Sequence, residues 1–337
     1  MTLVHPSRPA AMRRIAPGSA ANLLRAAASV VLLISVAWAA TIDGPLARST
    51  GPSWVTDAPN YFAAAERLNA GHALYELGPT DRQLELDVWI PAPLLSPPLI
   101  AVVWRPLAAS PIDVAVTAWT LAGLLVLVGS MLWLVWRAGL ATSVGVLLLA
   151  VPLALTAWSG NLQAFLTPAL CFAWIWHRSG KSARVGVVAG VGIVLKLAPA
   201  PLFVWMLATN QARSLAAATA FGVGALLVSL AGAGIAAHLD YLRVASDVSR
   251  LGGTTLSAGW LATMAGLPSD LRPLAAPAVL ALGSLGIVAL RRRPDQAFAL
   301  GIVTGILGLT IVNLTNVTML LAAFVPFGAL RQPDLTA

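Results

Sequence analysis

Apolar residues form long uninterrupted runs in this chain, in contrast to the shorter periodic patterns of a soluble protein. Ten runs stand out, at 21–40, 92–108, 113–136, 141–157, 162–176, 185–207, 214–237, 273–290, 296–312 and 316–329. A helix needs about 20 apolar residues to cross a bilayer. The pattern predicts an all-α, polytopic integral membrane protein with about ten transmembrane helices, some of them broken or re-entrant, in a single domain over 1–337.

Composition supports this class and excludes several others. Of the 337 residues, 58% are hydrophobic and only 10% are charged, whereas soluble domains carry about 25% charged residues. The single cysteine, Cys171, lies within an apolar run, which excludes a disulfide scaffold. The net charge of +8 comes mostly from arginines in short loops. Such loops mark the cytoplasmic side of a membrane protein, so we expect no nucleic-acid partner.

Basic residues also orient the two ends of the chain. Arg8, Arg13, Arg14 and Arg25 precede or begin the first run, which predicts a cytoplasmic N-terminus and an extracytoplasmic loop at 41–90. A signal peptide cleaved near Ala37-Trp38-Ala39 is the alternative. The triple arginine 291–293 is a second cytoplasmic marker, and it predicts a second extracytoplasmic loop at 238–255.

The middle of the chain allows two topologies. If every apolar run crosses once, Arg178, Lys181 and Arg184 fall outside, against the tendency of basic loops to stay in the cytoplasm. They fall inside if 92–110 is re-entrant and 185–207 is a hairpin. Prolines in both segments favour breaks of this kind, so we prefer the second topology.

The loop 41–90 is the main acidic segment. It holds seven of the thirteen acidic residues, Asp43, Asp57, Glu66, Glu76, Asp81, Glu85 and Asp87. Asp57 is a candidate functional carboxylate, or else the cap of a helix that begins near Asn60. Glu85-Leu86-Asp87 has oxygen ligands for a divalent cation, but such pairs are common in acidic loops. We therefore predict no metal site.

A few polar residues interrupt the apolar runs, where they are costly and usually functional. Lys196 lies inside the run 185–207, in a position from which reaching the interface is awkward, and we expect it to face an internal cavity. Asn161 and Gln163, in the sequence WSGNLQAF, are either functional amides or members of a Gly-Asn turn. Asn313 and Asn316 are expected to form turns or interhelical hydrogen bonds.

The order of these motifs resembles that of glycosyltransferase family 87, the polyprenyl-phosphomannose-dependent α-mannosyltransferases with the type C integral-membrane fold. The resemblance covers roughly 20–330. It rests on the loop motif D-x-x-x-Y-x-A-A-x-x-x-x-x-x-G-x-x-L-Y that begins at Asp57, on the Pro-rich segment after it, on G-N-L-Q, and on K-L-x-P beginning at Lys196. The aromatic-Pro-Pro sequence and the later Asn-x-Ser motif frequent in the family are missing here.

The resemblance implies an inverting, α-(1→2) transfer of mannose from a polyprenyl-phosphate sugar to a glycolipid or lipoglycan acceptor. The reaction would take place on the extracytoplasmic side of the cell membrane, among membrane lipids, without a cofactor. Asp57 matches the catalytic base. Lys196 would balance the phosphate charge, and Tyr61, Asn161 and Gln163 would orient the substrates.

Two other functions remain open on the sequence. A transporter or flippase of lipid-linked sugars would also place polar groups inside the membrane, but it gives no reason for the acidic loop. A non-catalytic scaffold of the same fold would have Asp57 facing away from any lipid-accessible cavity.

Overall fold

The computed structural model of the protein describes residues 17–42, 57–75, 94–250, 257–309 and 312–328. Helix accounts for 82% of this part, and no strand occurs in it. The all-α fold class predicted from the apolar runs is therefore confirmed.

Fifteen α-helices follow one another in the described ranges. They are α1 Pro17–Ile42, α2 Asp57–Asn69, α3 Leu99–Trp104, α4 Ile112–Arg137, α5 Leu140–Leu148, α6 Ala150–Ser159, α7 Gln163–Arg178, α8 Ser182–Leu195, α9 Pro201–Ala208, α10 Ala212–Arg250, α11 Ala258–Met264, α12 Ala275–Ala289, α13 Pro294–Leu307, α14 Leu314–Val317 and α15 Leu321–Phe324. Short 3₁₀ turns extend several of them.

Four helical segments are long and apolar enough to cross a membrane, namely Gly18–Thr41, Ile112–Arg137, Ala212–Ser246 and Arg272–Ala289. The pair α5 and α6, bent by 68°, forms a fifth candidate. Three shorter apolar segments are Ser182–Leu195, Pro294–Leu307 and Leu314–Phe327. The protein is thus a polytopic membrane protein, and the total of about ten spans stays a prediction.

Basic residues gather at one end of the bundle. Helices α4 and α7 run in parallel, because Gly123 lies against Ala164 and Trp133 packs 5.3 Å from Phe172. Both therefore finish at the same end, with Arg137 and Arg178. We call this the basic end, defined by Arg137, Arg178, Lys181, Arg184, Arg213 and Arg291–Arg293.

Helices α8 and α9 enter the bundle from the basic end and return to it. Helix α8 starts beside the first turns of α10 and ends before Lys196. After the prolines of 197–201, α9 brings Trp205 back to His177 of α7, with ring centroids 5.0 Å apart, and to the carbonyl of Pro294. This path is the one that the prolines predicted for the 185–207 hairpin.

The predicted loops are partly described. Within 41–90, residues 43–56 and 76–90 lie outside the described part, and α2 starts at Asp57, three residues earlier than expected. The second loop, 238–255, is helical as far as Arg250, because α10 continues past a non-helical residue at Gly234 (φ 78°). The six-residue α3 is about 9 Å long, which is too short to cross a bilayer alone.

Small residues let α8 and α10 approach closely. A Cβ atom at Gly190 would lie 2.2 Å from the carbonyl oxygen of Ala218 and 2.8 Å from the nitrogen of Gly222. Gly186 faces Ser214 and Ala217 in the same way, four residues earlier. This spacing is the small-xxx-small arrangement by which helices associate in membranes.

Gly190→Ala is expected to destabilise the bundle by about 1–3 kcal/mol, because the added methyl group overlaps backbone atoms that cannot move away independently. The melting temperature of the purified protein in detergent, followed by tryptophan fluorescence, measures this. Gly224→Ala on α10 is the control, since a Cβ atom there meets nothing within 4 Å. Equal melting temperatures for the two variants would contradict the close packing.

Candidate functional site

Asp57 and Asn161 form the centre of a polar site at the end of the bundle opposite the basic end. Asp57 is the first residue of α2, and its carboxylate accepts a hydrogen bond from the Asn161 side-chain amide. The same amide also donates to the hydroxyl of Thr315, 3.1 Å away. Among the described residues, the Asp57 carboxylate accepts a hydrogen bond from Asn161 and none from its own helix. The bundle, and not capping of α2, therefore sets the direction of the carboxylate.

The turn that presents Asn161 is held on several sides. Gly160 adopts a left-handed conformation (φ 64°), and the Asn161 side-chain oxygen accepts from the backbone N–H of Gln163 at 2.9 Å. The indole N–H of Trp119 donates to the Gly160 carbonyl at 2.8 Å. The Gly-Asn sequence therefore forms the predicted turn, and its Asn161 is also the partner of Asp57. The functional role of this amide stays a prediction.

Lys196 reaches the site from the break between α8 and α9. Its backbone is extended (φ −159°), and its ammonium group donates to the side-chain oxygen of Asn316 at 2.8 Å. The side-chain amide of Gln163 donates to the same oxygen. Gln163 is fully buried, so it acts within this network by holding Asn316.

The charges of Asp57 and Lys196 influence one another without forming an ion pair within the described residues. Burial raises the pKa of the Asp57 carboxyl above its ordinary value, and this is the largest influence. The positive charge of Lys196 and the hydrogen bond from Asn161 act in the opposite direction and lower the pKa. The result is a partly desolvated carboxylate beside a cation.

Tyr61 packs between α2, the helix that carries Asp57, and the rest of the bundle. Its side chain is only 3% exposed, and its hydroxyl accepts from the N–H of Leu162 at a long 3.5 Å. Its ring packs 6.0 Å from Trp104. Trp104 in turn packs on Trp119, which continues the aromatic contacts toward α4. Tyr61 is thus placed to hold α2 on the bundle, and its contact with substrate stays a prediction.

An apolar cavity of about 500 Å³ lies at the end of α8, where it is lined by Leu197, the residue after Lys196. It is an open cavity lined by the segment before α3, the last turn of α8 and the break after it, helix α9 and both halves of α10. Residues that line it include Pro97, Pro98, Leu197, Phe203, Gly222 and Tyr241.

Metal ligands are not grouped in the described ranges, where no three His, Cys, Asp or Glu side chains come together. The pair Glu85 and Asp87 lies outside the described residues.

Sequence reasoning overlooked two residues of the site. Thr315 connects Asn161 to the final apolar segment, 312–328. The indole N–H of Trp119 donates to the Gly160 carbonyl. The expected interhelical hydrogen bonding of Asn316 is confirmed by its contacts with Lys196 and Gln163. Asn313 acts as the turn former, because its side chain caps α14 by accepting from the N–H of Asn316.

A family model for glycosyltransferase family 87 matches residues 95–330. The chain belongs to glycosyltransferase family 87. Membership indicates a membrane glycosyltransferase that uses a lipid-linked sugar donor. Of the family 87 site residues predicted here, Asn161, Gln163 and Lys196 lie inside the matched region, and Asp57 and Tyr61 precede it. Comparisons with curated proteins and with solved structures give no match.

If the predicted role of Asp57 as catalytic base holds, Gly160→Ala is expected to lower the transfer rate of this family 87 protein roughly 10- to 100-fold, because small displacements of catalytic groups have effects of this size. A Cβ atom at Gly160 would lie 2.6 Å from the Cβ atom of Ala58 and would push away the first turn of α2, which carries Asp57. Initial rates in membranes measure the effect.

The control for this variant is Gly129→Ala on α4, where a Cβ atom meets nothing within 4 Å. A Gly160→Ala enzyme with the rate of the control would show that the position of α2 does not govern the reaction.

Proposed function

We propose that this family 87 protein transfers a mannosyl unit from a polyprenyl-phosphate sugar to a glycolipid or lipoglycan acceptor. The transfer takes place on the extracytoplasmic side of the cell membrane, inverts the anomeric carbon and forms an α-(1→2) linkage. One observation carries the proposal. Asp57 and Lys196 are connected through Asn161, Thr315 and Asn316 at the end of the bundle away from the basic end, and Leu197, next to Lys196 in the chain, lines an apolar cavity.

The side of the membrane follows from the distribution of basic residues. Cytoplasmic loops of membrane proteins are enriched in Lys and Arg, which identifies the basic end as cytoplasmic. The turn at Asn161 and the start of α2 lie at the other end. Nucleotide sugars are scarce outside the cytoplasm, whereas a polyprenyl-phosphate sugar is anchored in the membrane, so this placement favours the lipid-linked donor.

About ten membrane segments fit this orientation. In our proposal, α1, α4, the bent pair α5–α6, α7, α10, α12, α13 and the final segment 312–328 each cross the membrane. The segment containing α3 and the pair α8–α9 are re-entrant, from opposite sides. This arrangement puts every basic residue of the basic end in the cytoplasm. It puts the acidic loop 41–90 and the segment 238–255 outside.

Asp57 is suited to act as the general base. An inverting transfer needs one carboxylate to take the proton of the acceptor hydroxyl as its oxygen attacks the anomeric carbon. The bond from that carbon to the phosphate oxygen breaks at the same time, and the phosphate departs as an anion. The hydrogen bond from Asn161 leaves the second carboxylate oxygen for the acceptor.

Lys196 is suited to receive the leaving phosphate. An ammonium group offers three donors, of which Asn316 accepts one. The apolar cavity beside Leu197 can take the prenyl chain, and cavities of 300–1,000 Å³ are typical of ligand sites. Because the carrier phosphate is a monoanion in the donor, a single cation can balance it without a metal ion.

The direct test of this function is an assay of the purified protein with radiolabelled polyprenyl-phosphomannose and a panel of mannosylated lipid acceptors. We expect label to move to an acceptor lipid. Transfer from GDP-mannose with no polyprenol present would refute the proposed donor. Movement of intact donor across a vesicle membrane, without transfer, would instead support a flippase.

Asp57→Asn is expected to lower the transfer rate by roughly 10²–10⁴-fold, the usual contribution of a positioned base, while donor binding persists. Asn keeps the shape of the side chain and caps helices as well as Asp, so a role in capping alone would leave the rate near normal. Glu66→Gln is the matched control, because Glu66 is exposed on the same helix.

The pH dependence of kcat/KM is expected to report the Asp57 carboxyl. Since burial raises its pKa, transfer should decline on acidification at a pH above the ordinary carboxyl range of about 4. Lys196 lowers the pKa of Asp57, so Lys196→Met should move the decline to still higher pH and also weaken donor use. Lys196→Arg, which keeps the charge, should leave the decline nearly in place. Identical profiles for Lys196→Met and Lys196→Arg would contradict this coupling.

A further inference from the structure

Two consecutive residues of the last membrane segment connect the two halves of the site. Thr315 accepts from the Asn161 amide that also binds Asp57, at 3.1 Å. Asn316 accepts from Lys196 at 2.8 Å and from Gln163. Thr315 therefore contacts the partner of Asp57, the proposed base, and Asn316 contacts Lys196, the cation, directly.

The partner of Lys196 is a neutral amide, although a carboxylate would bind an ammonium group more strongly. Within the part of the chain that the structure describes, no ion pair involves Lys196. Asn316 is buried, with 1% of its surface exposed, so its contact with Lys196 is shielded from solvent. The side-chain oxygen fixes the direction of the ammonium group and forms no ion pair with it.

We propose that Asn316 is a positioning residue for the lipid phosphate: its neutral oxygen orients the Lys196 ammonium group without neutralising it. The charge of Lys196 is then available to an anionic phosphate, while a prenyl chain can lie in the apolar cavity that the next residue, Leu197, lines. This inference rests on the proposed function only in identifying that anion with the phosphate of the donor.

Substitution with aspartate separates orientation from charge. Asn316→Asp keeps the size of the side chain and an oxygen that can accept from Lys196 and Gln163. The new carboxylate would pair with Lys196 and repel a phosphate. Asn316→Ala makes the complementary change, because it removes the acceptor and adds no charge.

The experiment measures binding of farnesyl phosphate, a short prenyl phosphate without a sugar, to the purified full-length protein by native mass spectrometry. Farnesol, with the same tail and no phosphate, is measured in parallel. We expect Asn316→Asp to weaken binding of farnesyl phosphate by about tenfold or more, Asn316→Ala to weaken it by a smaller factor, and neither to change binding of farnesol.

Thr318→Val is the matched control in the same segment. The Thr318 hydroxyl is buried, lies 2.9 Å from that of Thr167 and donates to the backbone carbonyl of Thr315, and it makes no hydrogen bond to Lys196. This variant disturbs packing in the segment but should bind farnesyl phosphate as the wild-type protein does.

Two results would overturn the inference. One is wild-type affinity for farnesyl phosphate in both Asn316 variants. The other is equal loss of farnesol and farnesyl phosphate binding, which would make Asn316 a packing residue. Because the assay involves no sugar, its outcome is independent of transfer. Phosphate binding that depends on Asn316 in a protein that transfers no mannose would refute the proposed function alone.

Discussion

The hydrogen bond between Asn161 and Asp57 is the interaction on which the site depends. It connects α2 to the turn between α6 and α7, and so gives the carboxylate a defined direction. The packing of Tyr61 on Trp104 holds α2 against the bundle but does not orient its first residue. Without the amide of Asn161, the carboxylate would have only the first turn of its own helix to hold it.

Amides and hydroxyls surround the two charges of the site. Asn161, Gln163 and Asn316, together with Thr315, take up the polar contacts of Asp57 and Lys196 in the described residues. A direct ion pair between acid and base would satisfy both charges and leave neither for a substrate. Partly buried charges that are oriented by neutral groups are costly, and that cost is characteristic of functional sites in membrane proteins.

The broken segments explain how a polar backbone is tolerated at this depth. Irregular structure inside a membrane is stable only where protein covers it or where it lines a cavity. The break at 196–200 meets this condition, since Leu197 lines the apolar cavity and Ala198 packs against Gly305. The prolines that end α8 also bring Lys196 to the site, so the same feature of the chain supplies the break, the cation and one wall of the cavity.

The sequence by itself determined the class of protein, the basic end and the break around Lys196. These features depend on hydrophobicity, charge and proline content, which are local properties of the chain. Only the tertiary structure decided that Tyr61 turns inward, that α10 continues to Arg250, and that Thr315 meets Asn161 across 154 positions. A hydrogen bond between distant residues depends on how the helices pack, and many pairs of amides and hydroxyls in this chain would have satisfied the same local pattern.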